Sequence, residues 1–555
     1  MSSPDTPEIA SPFGTDHANV EFLKTRLPAW YLDAPEPLRV ALHQSQLKSQ
    51  LSRQIVEPIR SQLIPVETFA TPLLTQALFE RFKLRLDVTA NQLVTMHHDD
   101  ILLLRLRTPL KQTLLQAALQ NFEAGETFNP GSALLPADGL QTQLIWGPEF
   151  RVWIPRFRFR YSGVLDIKPE QFAEMARTLD LGGQYQAHLD SVFKPDEEAA
   201  RNVTKAFMNS ERDAIEVLAH IARMKNEISA EVYALLLEMV QADGNPNWHG
   251  MPVRYRQLHM LDTYAFSGSS LSGALLIEPD LPGEDVPCVV YMPGDPITPI
   301  KEYESFTAFT DELRDRLASK RYQQYFQRFI ALEQSHLFFA KLNERLNIRP
   351  APFTERVWPV YIYDRTAELY LQKREIDKPV FEFLYEQLVT KTYQDSRVIA
   401  VPTSDEDRES RLKRWQAFES AGMDVLMVAG FFVPVLGTVM AVAAAGQLLH
   451  EAFVAVEDWT HGETQEALNQ VFTIGENLAT MAALGAAVHV APRVLPSPFI
   501  ESLSPVKLRN GLTRLWKPDL ARFEQKVALP SWVPADVQGR ITVEGKNWLP
   551  LDGKL

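Results

Sequence analysis

Residues 149–167 read EFRVWIPRFRFRYSGVLDI, and in this stretch aromatic and apolar residues alternate with arginine. A period of two is typical of a β-strand, because successive side chains of a strand point to opposite faces. We therefore predict a strand or hairpin between Thr142 and Ile167. Arginine interleaved with Phe, Trp and Tyr could stack on a ligand, although any strand with one solvated face shows the same alternation.

Helical spacing dominates on both sides of this stretch. Apolar residues recur at intervals of three and four in residues 38–55 and 71–86, which predicts a helical bundle at the N-terminal side. Residues 168–193 predict a helix that starts at Pro169 and stops at Gly182 and Gly183. Long amphipathic helices are predicted over 305–346 and 364–394, with aromatic stripes that are typical of a core.

A β-rich insert interrupts the helices between residues 254 and 296, where two apolar runs are divided by Pro and Gly turns. The predicted fold class is α+β and predominantly helical, with helical bundles, this small insert and a C-terminal apolar helical hairpin. Because single cores stop growing at about 250 to 300 residues, the chain of 555 residues should form several domains. We predict a disordered leader (1–17), an N-terminal helical bundle (18–140), a mixed α+β body (141–403), an apolar hairpin region (404–500), and a linker with the start of a truncated C-terminal element (501–555).

Composition excludes several classes of function. The net charge of −14 argues against nucleic acid as a partner, because such binding needs clustered Lys and Arg. The single cysteine, Cys288, excludes an internal disulfide and a cysteine-based zinc site. The first thirty residues lack the basic start and apolar run of a secretory signal. Their Ser, Thr and Pro content would suit the disordered leader of a protein that is exported by a specialised injection system.

No residues stand out as a catalytic or cofactor site. His97, His98, Asp99 and Asp100 are dense in potential ligands, but adjacent residues point in different directions, so we expect no metal. Cys288 lies in an apolar strand, where a thiol keeps its proton, and a pairing with His249 or His259 is not visible in sequence. The run FSGSSLSGALL has neither nucleophile-elbow nor phosphate-loop spacing. We predict no catalytic residue, no cofactor and no metal in this chain.

The strongest functional signal is the uncharged segment between Asp424 and Glu451, VLMVAGFFVPVLGTVMAVAAAGQLLH. It exceeds the roughly 20 apolar residues that cross a bilayer, and its proline and glycines would bend or kink a helix. It could equally form a buried hairpin in a helical domain, since Ala, Gly and Val also suit close helix packing. The residues that we assign to a membrane hairpin are Val425, Gly430, Phe431, Phe432, Pro434, Gly437, Val439 and Leu449.

An acidic linker follows this segment and precedes a second uncharged run over residues 477–492. Carboxylates enter a bilayer far more easily when protonated, so low pH should favour insertion of the hairpin. A charge run of this kind is also typical of a solvated helix face above a packed core. The residues of the predicted acid gate are Glu451, Glu457, Asp458, Glu463 and Glu466.

Several phrases of the sequence resemble the N-terminal region of bacterial dermonecrotic-toxin-like proteins, which are large toxins and effectors common in pseudomonads. The phrases are RLPAWYLDAPEPLRVAL near Trp30, YSGVLDIKPEQFAEMARTLDLGGQYQAHL from Tyr161, VVYMPGDPITPIKEYESFTAF from Val289, RYQQYFQRFIAL, the apolar segment itself, and WKPDL near Trp516. The resemblance implies a delivery or membrane-localising region, followed in such proteins by variable cargo that can include leucine-rich repeats and a ubiquitin ligase.

The resemblance and the apolar segment together predict a toxin or effector module that inserts its hairpin into a host membrane. The expected partners are host membrane lipids and, in second place, a host protein. The alternative is a non-catalytic scaffold, or host-protein-binding region, of an effector such as a leucine-rich-repeat ubiquitin ligase. We expect the protein to leave the bacterium and to act at a host membrane or in a host cell.

Overall fold

The computed structural model describes residues 22–23, 26–96, 109–149, 152–242, 246–261, 268–348, 362–405, 467, 471, 498–507, 513–517, 541–543 and 546–548. The chain divides into two compact units. One comprises Ala41–Ala443, and the other comprises Met1–Val40 with Ala444–Leu555. The fold combines helices and strands, as the α+β prediction requires, with helix prevailing.

The first part of the chain is mainly helical. Pro65 precedes the third helix, where a residue without an N–H is tolerated. The Thr113 side chain accepts a hydrogen bond from the backbone of Gln116, and the Gln116 side chain accepts one from the backbone of Thr113, so a capping box starts the fourth helix. The helices are α1 (Ala29–Leu32), α2 (Glu36–Arg60), α3 (Val66–Phe82) and α4 (Leu114–Leu119).

Three short strands within this region were not predicted from the helical pattern. They are β1 (Gln92–Thr95), β2 (Leu110–Thr113) and β3 (Ala133–Leu135), and they form an antiparallel sheet in the order β2–β1–β3. Leu93, Val94, Leu134 and Leu135 are fully buried, and Leu93 and Leu134 belong to the core that the helices form. Strands of three and four residues are too short for their alternation to be recognised against a helical background.

The predicted strand or hairpin is confirmed as a two-stranded ribbon. Strand β4 (Leu140–Glu149) pairs with β5 (Val152–Tyr161) along its whole length, from Leu140 opposite Tyr161 to Glu149 opposite Val152. At about 3.3 Å per residue, ten-residue strands make a ribbon roughly 33 Å long.

Two consecutive helices, α5 (Pro169–Leu179) and α6 (Leu181–Phe193), follow the ribbon. Pro169 begins α5, as predicted, but Gly182 and Gly183 lie in the first turn of α6 and do not stop a helix. The stop is Asp180, whose backbone is left-handed (φ 47°) and whose carboxylate accepts a hydrogen bond from the Gly183 N–H. A Cβ at Gly182 would lie 2.3 Å from the backbone of Val401 and Pro402, so this glycine is required by close packing.

Two further helices, α7 (Glu197–Met224) and α8 (Ala230–Ala242), precede the main sheet. Asp196 caps α7 by accepting a hydrogen bond from the Ala199 N–H. The predicted β-rich insert is confirmed as this sheet. Its strands are β6 (Asn247–Trp248), β7 (Met251–Leu261), β8 (Gly268–Ser270), β9 (Leu275–Pro279), β10 (Cys288–Tyr291) and β11 (Ile300–Tyr303).

The sheet continues with a strand from much later in the chain. Helices α9 (Phe306–Leu317), α10 (Lys320–Phe326) and α11 (Leu332–Leu346) come first, then the short strands β12 (Asn347–Ile348) and β13 (Ile362–Tyr363), and then β14 (Leu371–Glu375). The order across the sheet is β11–β10–β9–β7–β14, with β6 and β8 also paired to β7, and every pairing is antiparallel.

The helix predicted over 364–394 begins only at residue 380. Its first part is strand β14, an edge strand whose residues are mostly exposed, and helix α12 (Val380–Ile399) follows. The sequence LQKRE of β14 has a helix-compatible composition, so its strand conformation is set by pairing with β7.

Two hydrophobic cores hold the larger unit together. One lies among α2–α7 and includes Phe122, Phe172 and Tyr185, together with Val398, Ile399 and Ala400 at the end of α12. The other joins the main sheet to α9–α11 through residues such as Cys288, Phe326 and Phe329. In the smaller unit the described C-terminal elements are α13 (Pro498–Glu501) and the hairpins β15 (Ser504–Lys507) with β16 (Thr513–Trp516) and β17 (Ile541–Val543) with β18 (Lys546–Trp548).

Candidate functional site

The residues that the sequence assigned to a site lie outside the described part of the chain. This holds for the membrane hairpin Val425–Leu449, for the acid gate from Glu451 to Glu466, for the second apolar segment and for the cluster His97–Asp100. Among the residues that the structure does describe, no helix has both the length and the apolarity to span a bilayer. Within the same ranges, His, Cys, Asp and Glu side chains form no group of three that could hold a metal ion.

Cys288 is a core residue, as its sequence context predicted. Its side chain is fully buried, and this burial raises the pKa of the thiol to about 12. The thiol donates a long hydrogen bond, 3.9 Å from Sγ to the Ser305 carbonyl. A group that stays protonated at neutral pH is a poor nucleophile.

His259 does not pair with Cys288. Val289, Ile277 and Tyr255 lie in one row across the sheet, and His259 is four residues beyond that row, or about 13 Å along β7. The imidazole Nδ1 of His259 lies 3.1 Å from the Ser270 hydroxyl, while its buried Nε2 has no hydrogen-bond partner among the described residues. A serine and histidine without an orienting carboxylate at the second nitrogen do not make a catalytic triad.

Asp295 is the most thoroughly bonded carboxylate in the loop after β10. One carboxylate oxygen accepts hydrogen bonds from the backbone N–H groups of Ile297 (2.7 Å) and Thr298 (3.0 Å). The other oxygen accepts from Arg316 (3.0 Å) and from the Tyr322 hydroxyl (2.5 Å). Because each oxygen already accepts two hydrogen bonds, this carboxylate fixes the loop and is not available as a general base.

A groove of about 420 Å³ opens beside β14. Its charged residues include Arg254, which pairs with Asp280 at 2.6 Å, and Lys378, which pairs with Glu386 at 2.5 Å. The groove is therefore rimmed by neutralised charge and by the exposed edge strand.

The ribbon of β4 and β5 has two chemically different faces. Alternation along paired strands places residues at every second position on one face. The aromatic face carries Leu140, Thr142, Leu144, Trp146 and Pro148 opposite Tyr161, Phe159, Phe157, Pro155 and Trp153. The arginine face carries Gln141, Gln143, Ile145, Gly147 and Glu149 opposite Arg160, Arg158, Arg156, Ile154 and Val152.

Burial at the base of the ribbon follows this division. Leu140, Phe159 and Tyr161 on the aromatic face are half-buried, whereas Gln141 and Arg160 on the arginine face are exposed. The alternation was visible in the sequence of β5 alone. The identity of the β4 residues that lie opposite the three arginines and the aromatic residues required the pairing with β4.

Two buried histidines, His220 and His259, and the half-buried His188 give the larger unit a response to acid. Burial lowers the pKa of His188, His220 and His259. The pKa of His220 falls to about 4, although the negative charge of Glu216 acts to raise it. The imidazole Nδ1 of His220 lies 2.9 Å from the hydroxyl of Tyr233. The folded protein thus resists protonation of His220, whereas the unfolded chain takes up this proton near pH 6.5.

We expect the larger unit to lose stability as the pH falls from 7 to 5, because the unfolded state then binds more protons than the folded state. For His220 alone the loss is about 2 kcal/mol at pH 5. The raised pKa values of Glu211 and Glu227, which burial causes, act in the opposite direction as these carboxyls protonate. The measurement is urea unfolding at both pH values for the wild type and His220→Gln.

The His220→Gln variant should have a smaller drop in unfolding free energy between pH 7 and 5 than the wild type. His249→Asn is the matched control, because His249 is exposed and its left-handed backbone (φ 53°) is one that Asn tolerates. Equal pH dependence in the wild type and His220→Gln would contradict the assignment.

Comparison with known protein families identifies the central part of the chain. The model of the dermonecrotic toxin N-terminal domain matches residues 60–333, which extend from the end of α2 into α11. No curated protein sequence matches the chain. The match confirms the family resemblance found in the sequence phrases. Residues 60–333 of this chain are therefore similar to the dermonecrotic toxin N-terminal domain.

Proposed function

We propose that this chain is the delivery and membrane-localising module of a bacterial toxin or secreted effector. Similarity to a toxin domain family supports a toxin-related role. The observation that carries the membrane part is the uncharged segment between Asp424 and Glu451, in a chain that otherwise has frequent charges and a net charge of −14. In the proposed function this segment enters the membrane of a host cell, after the protein has left the bacterium by a specialised route.

The composition of the segment supports insertion as a bent pair of helices. Its 26 residues exceed the roughly 20 that cross the hydrocarbon layer once. Gly430, Pro434 and Gly437 all lie in the first half of the segment. Proline and glycine are tolerated in membrane helices where neighbouring segments satisfy the backbone. The partner run from Leu478 to Val490 is somewhat short for a full span, which suits a re-entrant pose beside the first segment.

Acid is the proposed trigger. Glu451, Glu457, Asp458, Glu463 and Glu466 follow the segment without an intervening Lys or Arg. Ionised carboxylates oppose entry into the bilayer, and protonation removes that cost. The buried histidines of the larger unit support the same direction, because acid weakens the fold that precedes the segment.

A second candidate function is recognition of a host protein by a non-catalytic scaffold. It is supported by the edge strand β14, whose residues are mostly exposed and which borders the groove beside Pro379 and Val380. An extended peptide could add to such an edge by main-chain hydrogen bonds. The exposed Arg374 of β14 would then favour an acidic peptide, whereas Lys373 is already paired with Glu278.

The test is a double substitution, Val435→Asp with Val439→Asp, in the full chain. An aspartate near the middle of an inserted helix costs about 3 kcal/mol, so two of them should abolish membrane binding. We expect the variant to remain folded and to lose its flotation with liposomes at about pH 5. Flotation and circular dichroism would be measured on the same sample.

Val435→Ala with Val439→Ala is the matched control, because it changes the same positions without adding charge. This control should float like the wild type. If the aspartate variant instead unfolds at neutral pH, the segment is packed in a protein core, and the scaffold function becomes the better account.

A further inference from the structure

We propose that one face of helix α2 binds a small anion, a phosphate or a carboxylate, through the buried side chains of Gln46, Ser49 and Arg53. The anion would supply the oxygen acceptors that the donors of this face require. The inference goes beyond the proposed function, because it concerns the larger unit and makes no use of the apolar segment.

The polar side of α2 faces inward. Gln46 and Ser49 are each 1% exposed, and Arg53 is 7% exposed. Three large aliphatic residues of the same helix are exposed instead, namely Leu47, Leu51 and Ile55. Burial of apolar surface by itself favours the opposite orientation of such a helix. The inward polar face therefore needs a favourable interaction that offsets the exposure of these aliphatic side chains.

The inward side chains lie close enough together to share one ligand. Residues three and four apart are neighbours on the surface of a helix, and Gln46, Ser49, Gln50 and Arg53 have this spacing. From the first to the last, the row is about 11 Å long. Gln, Ser and Arg side chains all carry hydrogen-bond donors. The row is thus suited to a small ligand with several acceptor oxygens.

The polar atoms of this row lack acceptors in the described part of the chain. Both amide atoms of Gln46, the hydroxyl of Ser49 and Oε1 of Gln50 are buried without a hydrogen-bond partner among those residues. The Arg53 Nε donates a hydrogen bond to the Ser49 carbonyl at 3.3 Å. Burial lowers the pKa of Arg53 to about 10, which is the direction expected for a buried cation without an anion beside it. Because buried polar groups are nearly always paired, the row indicates an acceptor from outside the chain.

A carboxylate of the chain could in principle neutralise Arg53, as happens elsewhere in the larger unit. Arg256, whose side chain is 14% exposed, pairs with Glu278 at 2.8 Å. Helix α2 offers no such partner beside Arg53, since residues 37–56 contain neither Asp nor Glu. An arginine presents a planar fork of donors that matches two oxygens of a phosphate or carboxylate. Arg53 would therefore be the main contact of the bound anion.

The test is thermal unfolding of the full chain at neutral pH in sodium phosphate, sodium acetate and sodium chloride of equal ionic strength. A ligand that binds only the folded state raises the unfolding temperature. We expect phosphate or acetate to raise it above the value in chloride. Equilibrium dialysis with the stabilising anion should then give about one bound anion per chain.

Three variants locate the binding. Arg53→Met should abolish the rise with phosphate or acetate, and in chloride it should unfold at a higher temperature than the wild type, because it removes a buried charge without a partner. Arg53→Lys keeps the charge but loses the fork of donors, and its affinity for the anion should fall about tenfold. Arg60→Met is the matched control in the same helix. Arg60 pairs with Glu57 at 2.7 Å, and this variant should bind the anion like the wild type.

The remaining outcomes decide the site and the class of ligand. A preference for phosphate or for acetate supports the site and identifies which oxygen anion it takes. Equal unfolding temperatures of the wild type in all three salts would overturn it, and so would a rise that Arg53→Met retains. Phosphatidylserine vesicles are the last condition. Because the donors are buried, we expect no rise with vesicles, and a rise with vesicles alone would show a lipid headgroup in place of a small anion.

Discussion

A chain shortened to residues 60–333 is expected to fail to fold, although these are the residues that match the family model. The core among α2–α7 is completed by residues outside that range: Val56 of α2, and Val398, Ile399 and Ala400 at the end of α12. Each large buried side chain that is removed leaves a cavity, which costs about 2 to 5 kcal/mol. Together these losses exceed the free energy of unfolding of most domains.

Backbone and amide contacts add to this loss. The segment Val398–Thr403, which we name the clasp, is held by side chains of the residues after α4. The Gln120 amide donates to the carbonyls of Val398 (3.2 Å) and Ile399 (3.1 Å), and the Asn121 amide donates to that of Val401 (3.1 Å). Without the clasp, both amides would lose these hydrogen-bond acceptors. A buried amide that is left without a partner destabilises the fold by about 1 to 3 kcal/mol.

The measurement compares residues 60–333 with residues 41–405 by circular dichroism and thermal unfolding. The longer chain contains most of α2, including Val56, together with β14, α12 and the clasp, and we expect it to melt cooperatively. A cooperative transition of equal temperature in the shorter chain would show that the clasp and α12 are dispensable.

Gly182→Ala is expected to destabilise the larger unit by about 3 kcal/mol, the upper part of the range for an overpacked site. A Cβ at this position would lie 2.3 Å from the Pro402 nitrogen and 2.5 Å from the Val401 carbonyl oxygen, both of them backbone atoms of the clasp. The clasp cannot move away easily, because the Val401 N–H donates to Leu119 (2.8 Å) and the Thr403 N–H donates to Asp180 (2.7 Å).

The sign of this effect is informative. Alanine is favoured over glycine in a helix by about 1 kcal/mol, so helix propensity alone predicts that Gly182→Ala stabilises α6. Ala187→Gly, an exposed change in the same helix, serves as the control and should cost about 1 kcal/mol. Chemical unfolding of both variants gives the two free energies, and a stabilised Gly182→Ala would contradict the packing of the clasp on α6.

Local patterns in the sequence were sufficient to predict those elements whose conformation is stabilised by their own residues. The alternation after Glu149 predicted the ribbon, Pro169 predicted the start of α5, and the apolar runs predicted β9 and β10. The protonated, buried state of Cys288 also followed from its apolar strand.

Features set by distant parts of the chain were not predicted. Gly182 and Gly183 look like a helix stop, but the clasp, more than two hundred residues later, requires the space at Gly182. Residues 371–375 look helical, and pairing with β7 makes them a strand. The partners that β4 places opposite the residues of β5 depend on the register of the two strands, which periodicity in one strand does not specify. The membrane hairpin and acid gate lie outside the described residues and stay predictions.

Flotation of the full chain with liposomes at neutral pH and at about pH 5 tests the central claim most directly. The vesicles should be neutral phosphatidylcholine, so that electrostatic attraction contributes little and insertion of the apolar segment is what is measured. The account predicts that the protein stays with the soluble fraction at neutral pH and floats with the vesicles in acid. A folded protein that remains soluble at both pH values would contradict membrane insertion and would direct attention to a host protein as the partner.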